Sequence, residues 1–171
     1  MVSTWGILLG LSEHSGDSTP FYLGIDLHYP PQDRFNLVKQ LAEASGVHFS
    51  FLEANDLDID LKQPTDMLFI DSFHTYFHLT YELEKFSPKV QKYIAMHDTS
   101  EPFGYKDQEF EENRLDHHLH EQRVADYPAW IRRDKMGLWT AVVDFLERHP
   151  EWELKRRYLN CYGFTVLQRV R

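Results

Sequence analysis

Cysteine is almost absent from this chain: Cys161 is the only one in 171 residues. No internal disulfide and no Cys-x-x-Cys metal site can form, which fits a reducing compartment. Long apolar runs are missing too. None reaches the roughly 18 residues that a membrane-spanning helix needs, and the start Met1-Val2-Ser3-Thr4-Trp5 carries no basic leader. The expected location is the cytoplasm. Positive charge is scarce, with 18 Lys and Arg against 27 Asp and Glu and a net charge of −9. No Lys/Arg cluster forms a stripe that could follow a phosphate backbone, so nucleic acid is not the expected partner. Against these shortages stand 42% hydrophobic and 15% aromatic residues. That excludes disorder and suits one domain, residues 1–171, with a real core.

Strand and helix patterns alternate along the chain. Ser3 and Thr4 can cap a short apolar helix, Trp5 to Leu11, that stops in the Gly16-Asp17-Ser18 turn. Phe21 to Leu27 reads as a strand reaching Asp26 and ended by Pro30-Pro31. Gln32 to Ser45 carries Phe35, Val38, Leu41 and Ala42 on one helical face and stops at Gly46. Val47 to Leu52 is a further strand. Tyr76, Leu79, Leu83 and Phe86 recur at helical spacing and stop before Pro88. Residues 99–134 break the rhythm with charge and read as an insertion, a lid over a bound molecule. Trp130 and Tyr127 then either line the acceptor site or act as packing anchors. Met136 to Arg148 resumes the pattern with Leu138, Val142, Phe145 and Leu146. Trp152 to Tyr158 and Tyr162 to Arg169 close it as a hairpin. Alternation ending in a hairpin indicates an α/β domain whose mostly parallel sheet has an antiparallel edge.

The chemistry concentrates where two strands end. Met67 to Ile70 is apolar throughout, as a central parallel strand is, and runs into Asp71 and His74; Tyr93 to Met96 runs into His97, Asp98 and Thr99. In open α/β sheets ligands bind at that carboxyl edge. Asp71, His74, His97 and Asp98 would share one crevice there. Carboxylates with imidazole suit Mg²⁺, Mn²⁺ or a softer ion. The same residues also serve as general bases without metal, His being the better base at neutral pH. The tract Asp116 to His120 holds no His-x-x-x-His pair and lies in charged surroundings, so it reads as a solvated helix.

Gly24-Ile25-Asp26, Asp66 to Asp71 followed by His74, Ser87 to Val90 leading to His97-Asp98-Thr99, and Asn160 to Leu167 resemble class I S-adenosylmethionine-dependent methyltransferases. The branch they are most similar to contains small-molecule and sugar O-methyltransferases and cephalosporin hydroxylase-like proteins. The resemblance covers nearly the whole chain. It implies a Rossmann-like three-layer sandwich and S-adenosylmethionine as cofactor. Asp26 then bonds both ribose hydroxyls, and Glu53 and Ala54 sit where relatives contact the adenine. Many relatives hold a divalent cation, Mg or Mn, at the second pair of strand ends; here that gives Asp71, His97 and Asp98 as metal ligands, with Asp71, His74 and His97 catalytic.

The family's first strand and its Glu-x-Gly loop have no counterpart, since Met1 to Trp5 aligns with the helix after them. The sheet then closes up, takes a strand from another chain or a second copy, or belongs to a chain with an earlier start. Ser3 and Thr4, at a helix N-terminus, are left to accept the carboxylate end of the cofactor. Weak cofactor binding is the expectation. Three functions follow, in order: methyl transfer to a hydroxyl of a small-molecule acceptor, a non-catalytic binding or assembly module of the same fold, and a metal-dependent hydrolase.

Overall fold

The structure is a computed structural model, and it describes residues 2–13, 18–109, 127–132 and 134–171. The chain divides into two compact units, Met1–Ile59 and Asp60–Arg171. Among the described residues no helix is long and apolar enough to cross a membrane.

The first unit runs α1 (Val2–Ser12), β1 (Phe21–Asp26), α2 (Gln32–Ala44) and β2 (His48–Glu53). Phe35, Val38 and Ala42 fall on one side of α2 and are buried, the outcome that spacing of three and four residues dictates. Gly46 follows in the left-handed region at φ 65° and stops the helix. Leu8 of α1 completes a small core with Val38, Ala42 and Val47. β1 and β2 pair in parallel from Phe21 opposite His48 to Asp26 opposite Glu53. Both acids therefore stand in one row at the carboxyl end of this two-stranded sheet.

The second unit contains β3 (Thr65–Ile70), α3 (Tyr76–Phe86), β4 (Val90–His97), α4 (Leu138–Arg148), β5 (Trp152–Tyr158) and β6 (Phe164–Arg169). Its sheet has the order β3-β4-β6-β5, with β3 and β4 parallel and β6 antiparallel to both β4 and β5. A mixed α/β fold with a closing antiparallel hairpin is thus present, and its parallel strands are shared between two sheets. α3 starts at Thr75, whose hydroxyl accepts from the His78 amide, a standard side-chain cap. Tyr76, Leu79, Leu83 and Phe86 are all buried on it. Leu79 of α3 and Leu138 of α4 line the same small cavity as Ile70 and Met96. Both helices therefore press on the sheet face that carries Ile70, Met96, Ile94 and Leu167. Each fully buried leucine or isoleucine of that layer contributes roughly 1.5–3 kcal/mol.

Several boundaries differ from the sequence reading: α1 begins at Val2, so Ser3 and Thr4 lie inside it instead of capping it, and three others differ for a backbone reason. α4 begins at Leu138 because Gly137 takes φ 86°. β6 begins at Phe164 because Cys161, Tyr162 and Gly163 are all left-handed. The charged insertion begins later than expected: Thr99, Ser100 and Gly104 are buried, and the Ser100 amide donates to the Tyr162 carbonyl at 2.7 Å. The tract Asp116 to His120 lies outside the described residues.

Candidate functional site

The ends of β3 and β4 bring four polar side chains of the second unit together. Asp98 follows β4 in the left-handed region, φ 57°, a conformation that aspartate tolerates better than most residues and that costs energy nonetheless. Its carboxylate is shared: Oδ2 lies 3.0 Å from His74 Nε2 and Oδ1 lies 3.1 Å from His97 Nδ1. Asp98 is only 7% exposed, and burial of a carboxylate demands such partners. Asp71 is the more open acid, with Oδ1 3.7 Å from the same His74 nitrogen. His74 packs on Phe103 with ring centroids 4.7 Å apart. Its other nitrogen, Nδ1, is buried without a hydrogen-bond partner among the described residues. A bare lone pair is the cheaper group to leave there, so the proton belongs on Nε2, facing Asp98.

His97 has the opposite arrangement. With Nδ1 turned to Asp98, its Nε2 carries the free lone pair, and the ring is partly exposed. An imidazole whose Nδ1–H is held by a buried carboxylate is the orienting pair of a general base. Asp71, His74 and Asp98 in addition carry three potential ligand atoms within 4.8 Å of one another, His74 Nε2 being open to a cation only in the other tautomer. Cis ligands around a cation at 2.1 Å stand about 3 Å apart, which the His74–Asp98 separation matches.

The neighbouring loops are firmly built. Asp107 Oδ1 accepts from the Tyr76 amide at 2.8 Å and from the Gly137 amide at 2.7 Å, so one oxygen holds the starts of α3 and α4. Ser72 donates to Glu82 Oε2 at 2.8 Å, fixing the turn between Asp71 and His74. Glu82 lies 3.9 Å from His78 on the next turn of α3, and His78 Nδ1 is 2.7 Å from the Tyr127 hydroxyl. Of the two readings for Tyr127, anchoring is the one this contact serves. Trp130 is exposed. Sequence reasoning missed Asp107, Ser72, Glu82 and Phe103. Only the i, i+4 spacing of His78 and Glu82 was a usable signal, and an apolar-period search passes over it.

In the first unit, Asp26 and Glu53 stand side by side and exposed at the ends of β1 and β2. Asp26 accepts from the His28 amide at 3.4 Å, Glu53 from the Tyr29 amide at 3.2 Å, and the Ala54 amide donates to the Asp26 carbonyl at 2.9 Å. Most of their acceptor capacity is left over. Thr4 is placed elsewhere: it is buried, with its hydroxyl 3.3 Å from that of Tyr22, the second residue of β1, whereas Asp26 is the last. Burial raises the Tyr22 phenol above its ordinary value, and the Thr4 bond partly offsets this. Ser3, beside it, is half-buried. Of the metal donors read from the sequence, Asp71 and Asp98 are brought together, with His74 rather than His97 as the third; His97 takes the far oxygen of Asp98.

No family model and no curated protein matches the chain. Solved structures do. One is a Corynebacterium glutamicum protein determined by the Northeast Structural Genomics Consortium, 15% identical with a TM-score of 0.53, the match covering 99% of this chain and 81% of that one. Another is a provisionally assigned O-methyltransferase from Klebsiella pneumoniae, 13% identical with a TM-score of 0.50, covering 98% of this chain and 69% of that one. At such identities the likeness shows the fold alone: this chain has a mixed α/β fold of the kind that the Klebsiella protein has.

Proposed function

We propose that the protein transfers a methyl group from S-adenosylmethionine to a hydroxyl of a small molecule, with His97 as the base. One observation carries this: the buried, left-handed Asp98 carboxylate holds Nδ1 of His97 and leaves Nε2 free at the end of β4. Membership of the class I methyltransferases, in the small-molecule and sugar O-methyltransferase branch, rests on the motif resemblance and is part of the same proposal.

The donor sets suit the groups involved. Asp26 has an exposed carboxylate beside Glu53, and one carboxylate can accept from two vicinal hydroxyls. Asp26 would therefore hold the ribose, with Glu53 and Ala54 toward the adenine. S-adenosylmethionine supplies, when bound, an electrophilic methyl group whose C–S bond breaks with its electron pair left on sulfur as the acceptor oxygen bonds to carbon. His97 Nε2 takes the proton that this oxygen loses. Asp98 keeps the ring in the tautomer that can accept it and stabilises the imidazolium that results. His74, donating to the other oxygen of Asp98, holds that carboxylate in place.

A second reading has its own observation, the three donor atoms of Asp71, His74 and Asp98 within 4.8 Å. A divalent cation there would lower the acceptor's pKa directly. Calorimetry with S-adenosylmethionine and with its demethylated product, each with and without Mn²⁺, tests both. Weak but measurable binding that Asp26→Asn weakens about 10- to 150-fold is the expected result. Absence of binding, or binding that Asp26→Asn leaves unchanged, overturns the cofactor placement. Mn²⁺ binding lost in Asp71→Ala would favour the metal reading over the metal-free base.

A further inference from the structure

The register of the four-stranded sheet places His97 at the end of a row of aromatic side chains. His97 stands opposite Phe164, and Phe164 opposite Tyr158; residues directly opposite across a ladder point to the same face. Phe69 joins diagonally, its ring centroid 6.3 Å from Phe164, while Tyr158 is 6.4 Å from Phe164 on the other side. This is the face opposite to the one on which α3 and α4 pack. Tyr158 is 49% exposed, so the outer end of the row is open to a ligand.

The backbone around the row is strained and clamped. Cys161, Tyr162 and Gly163 have φ of 49°, 63° and 96°, and left-handed non-glycine residues persist only where surrounding contacts hold them. Here Ser100 holds them, its amide donating to the Tyr162 carbonyl at 2.7 Å and its hydroxyl to the Leu159 carbonyl at 2.9 Å. Ser100 lies two residues after the strained Asp98. The loop that carries the aromatic groups and the residue that orients the base are thus fastened to each other. One row inward on the same face stands Arg156, opposite Val166, exposed and without a carboxylate partner among the described residues.

We infer that the acceptor is a planar aromatic compound bearing a phenolic hydroxyl and an acidic substituent, its ring lying on Phe164 and Tyr158, its hydroxyl at His97 Nε2 and its acid toward Arg156. This deepens the methyl-transfer reading and rests on it for the reaction, though not for the binding. The chemistry points the same way. A phenol ionises near pH 10, about six units below a water-like hydroxyl, so an imidazole can take its proton without help from a metal. The hydroxyl proton goes to His97 Nε2, and the oxygen keeps the electron pair.

The test is equilibrium binding to the full chain of three probes: 4-hydroxybenzoate, phenol and methyl glucoside. 4-Hydroxybenzoate should bind, and methyl glucoside should not compete with it. Tyr158→Ala, at an exposed position, and Phe164→Ala should each weaken 4-hydroxybenzoate about tenfold, by loss of ring stacking. Arg156→Gln should weaken 4-hydroxybenzoate and leave phenol unchanged. Binding of the glucoside in preference to the aromatic acid overturns the inference, as does affinity indifferent to Tyr158→Ala and Arg156→Gln, or no binding of any aromatic probe. Aromatic binding without S-adenosylmethionine binding would leave this site standing and remove methyl transfer; the reverse would remove only the acceptor class.

Discussion

Two pairs of strand ends in this molecule carry carboxylates, and they are built in opposite ways. At the ends of β1 and β2, Asp26 and Glu53 are exposed and each accept from a backbone amide. At the end of β4, Asp98 is buried, left-handed and claimed by an imidazole on each oxygen. An exposed carboxylate with spare lone pairs is suited to hold a ligand's hydroxyls and does so at little cost to the fold. A buried one has been desolvated and oriented beforehand, which is the requirement for moving a proton. On the proposed methyl-transfer reading the difference separates a holding acid from a working one, and each can be disturbed without the other.

The largest effect should come from Asp98→Asn. Asparagine accepts the left-handed backbone but cannot stabilise an imidazolium, so turnover should fall about 10²- to 10⁴-fold while the melting temperature moves by only a few degrees. Unchanged turnover would erase the distinction between the two ends. Next is Gly163→Ala. A Cβ at φ 96° would collide with the Ser100 backbone nitrogen and come within 2.7 Å of its Oγ, and the strain alone costs roughly 1–3 kcal/mol. Thermal unfolding should shift down by several degrees, and proton transfer at His97 should suffer because the clamp beside Asp98 loosens. Asp26→Asn should do the reverse, leaving stability intact and weakening S-adenosylmethionine about 10- to 150-fold through one lost charge-assisted bond.

Smaller still is the alkaline response of the second unit. Burial and the Asp144 carboxylate, which accepts from the Tyr76 hydroxyl at 2.7 Å, push the Tyr76 phenol up to about 12. A raised pKa means that its stabilisation is complete below the ordinary phenol value and is lost as pH rises toward the folded one. Denaturant unfolding followed from pH 9 upward should show that decline, and Tyr76→Phe should flatten it at a cost of about 1 kcal/mol near neutrality. The same linkage has the opposite sign at Asp144. Burial opposes its ionisation, but bonds from Lys135 and Tyr76 outweigh this and lower its pKa, so that contribution is present at neutral pH and fades in acid. The smallest effect belongs to Thr4→Val, which removes a hydroxyl engaged with Tyr22 and should leave cofactor affinity unchanged. A large loss there would reinstate Thr4 as a ligand-binding residue.

The strand ends were legible because an apolar run that stops abruptly at Asp and His is visible in one dimension: β3 into Asp71 and β4 into His97 and Asp98. α3 was legible from Tyr76, Leu79, Leu83 and Phe86. Its buried Thr80, His78 and Glu82 were not, since a polar group satisfied inside a core gives no apolar signal. The segment from Thr99 to Gly104 read as the start of a charged insertion because small polar residues carry no period, yet it is packed against the β5–β6 turn through Ser100. Which imidazole faces which oxygen of Asp98 depends on a left-handed residue that no pattern in the sequence announces.

The single oxygen of Asp107 that receives the Tyr76 and Gly137 amides has an evolutionary consequence. It ties together the starts of α3 and α4 from a position just ahead of residue 110, and Tyr127 is anchored separately by His78. A substitution at Asp107 therefore acts on the starts of both helices at once. Any descendant that loses this carboxylate must find new partners for two backbone amides, not one, to keep α3 and α4 in place.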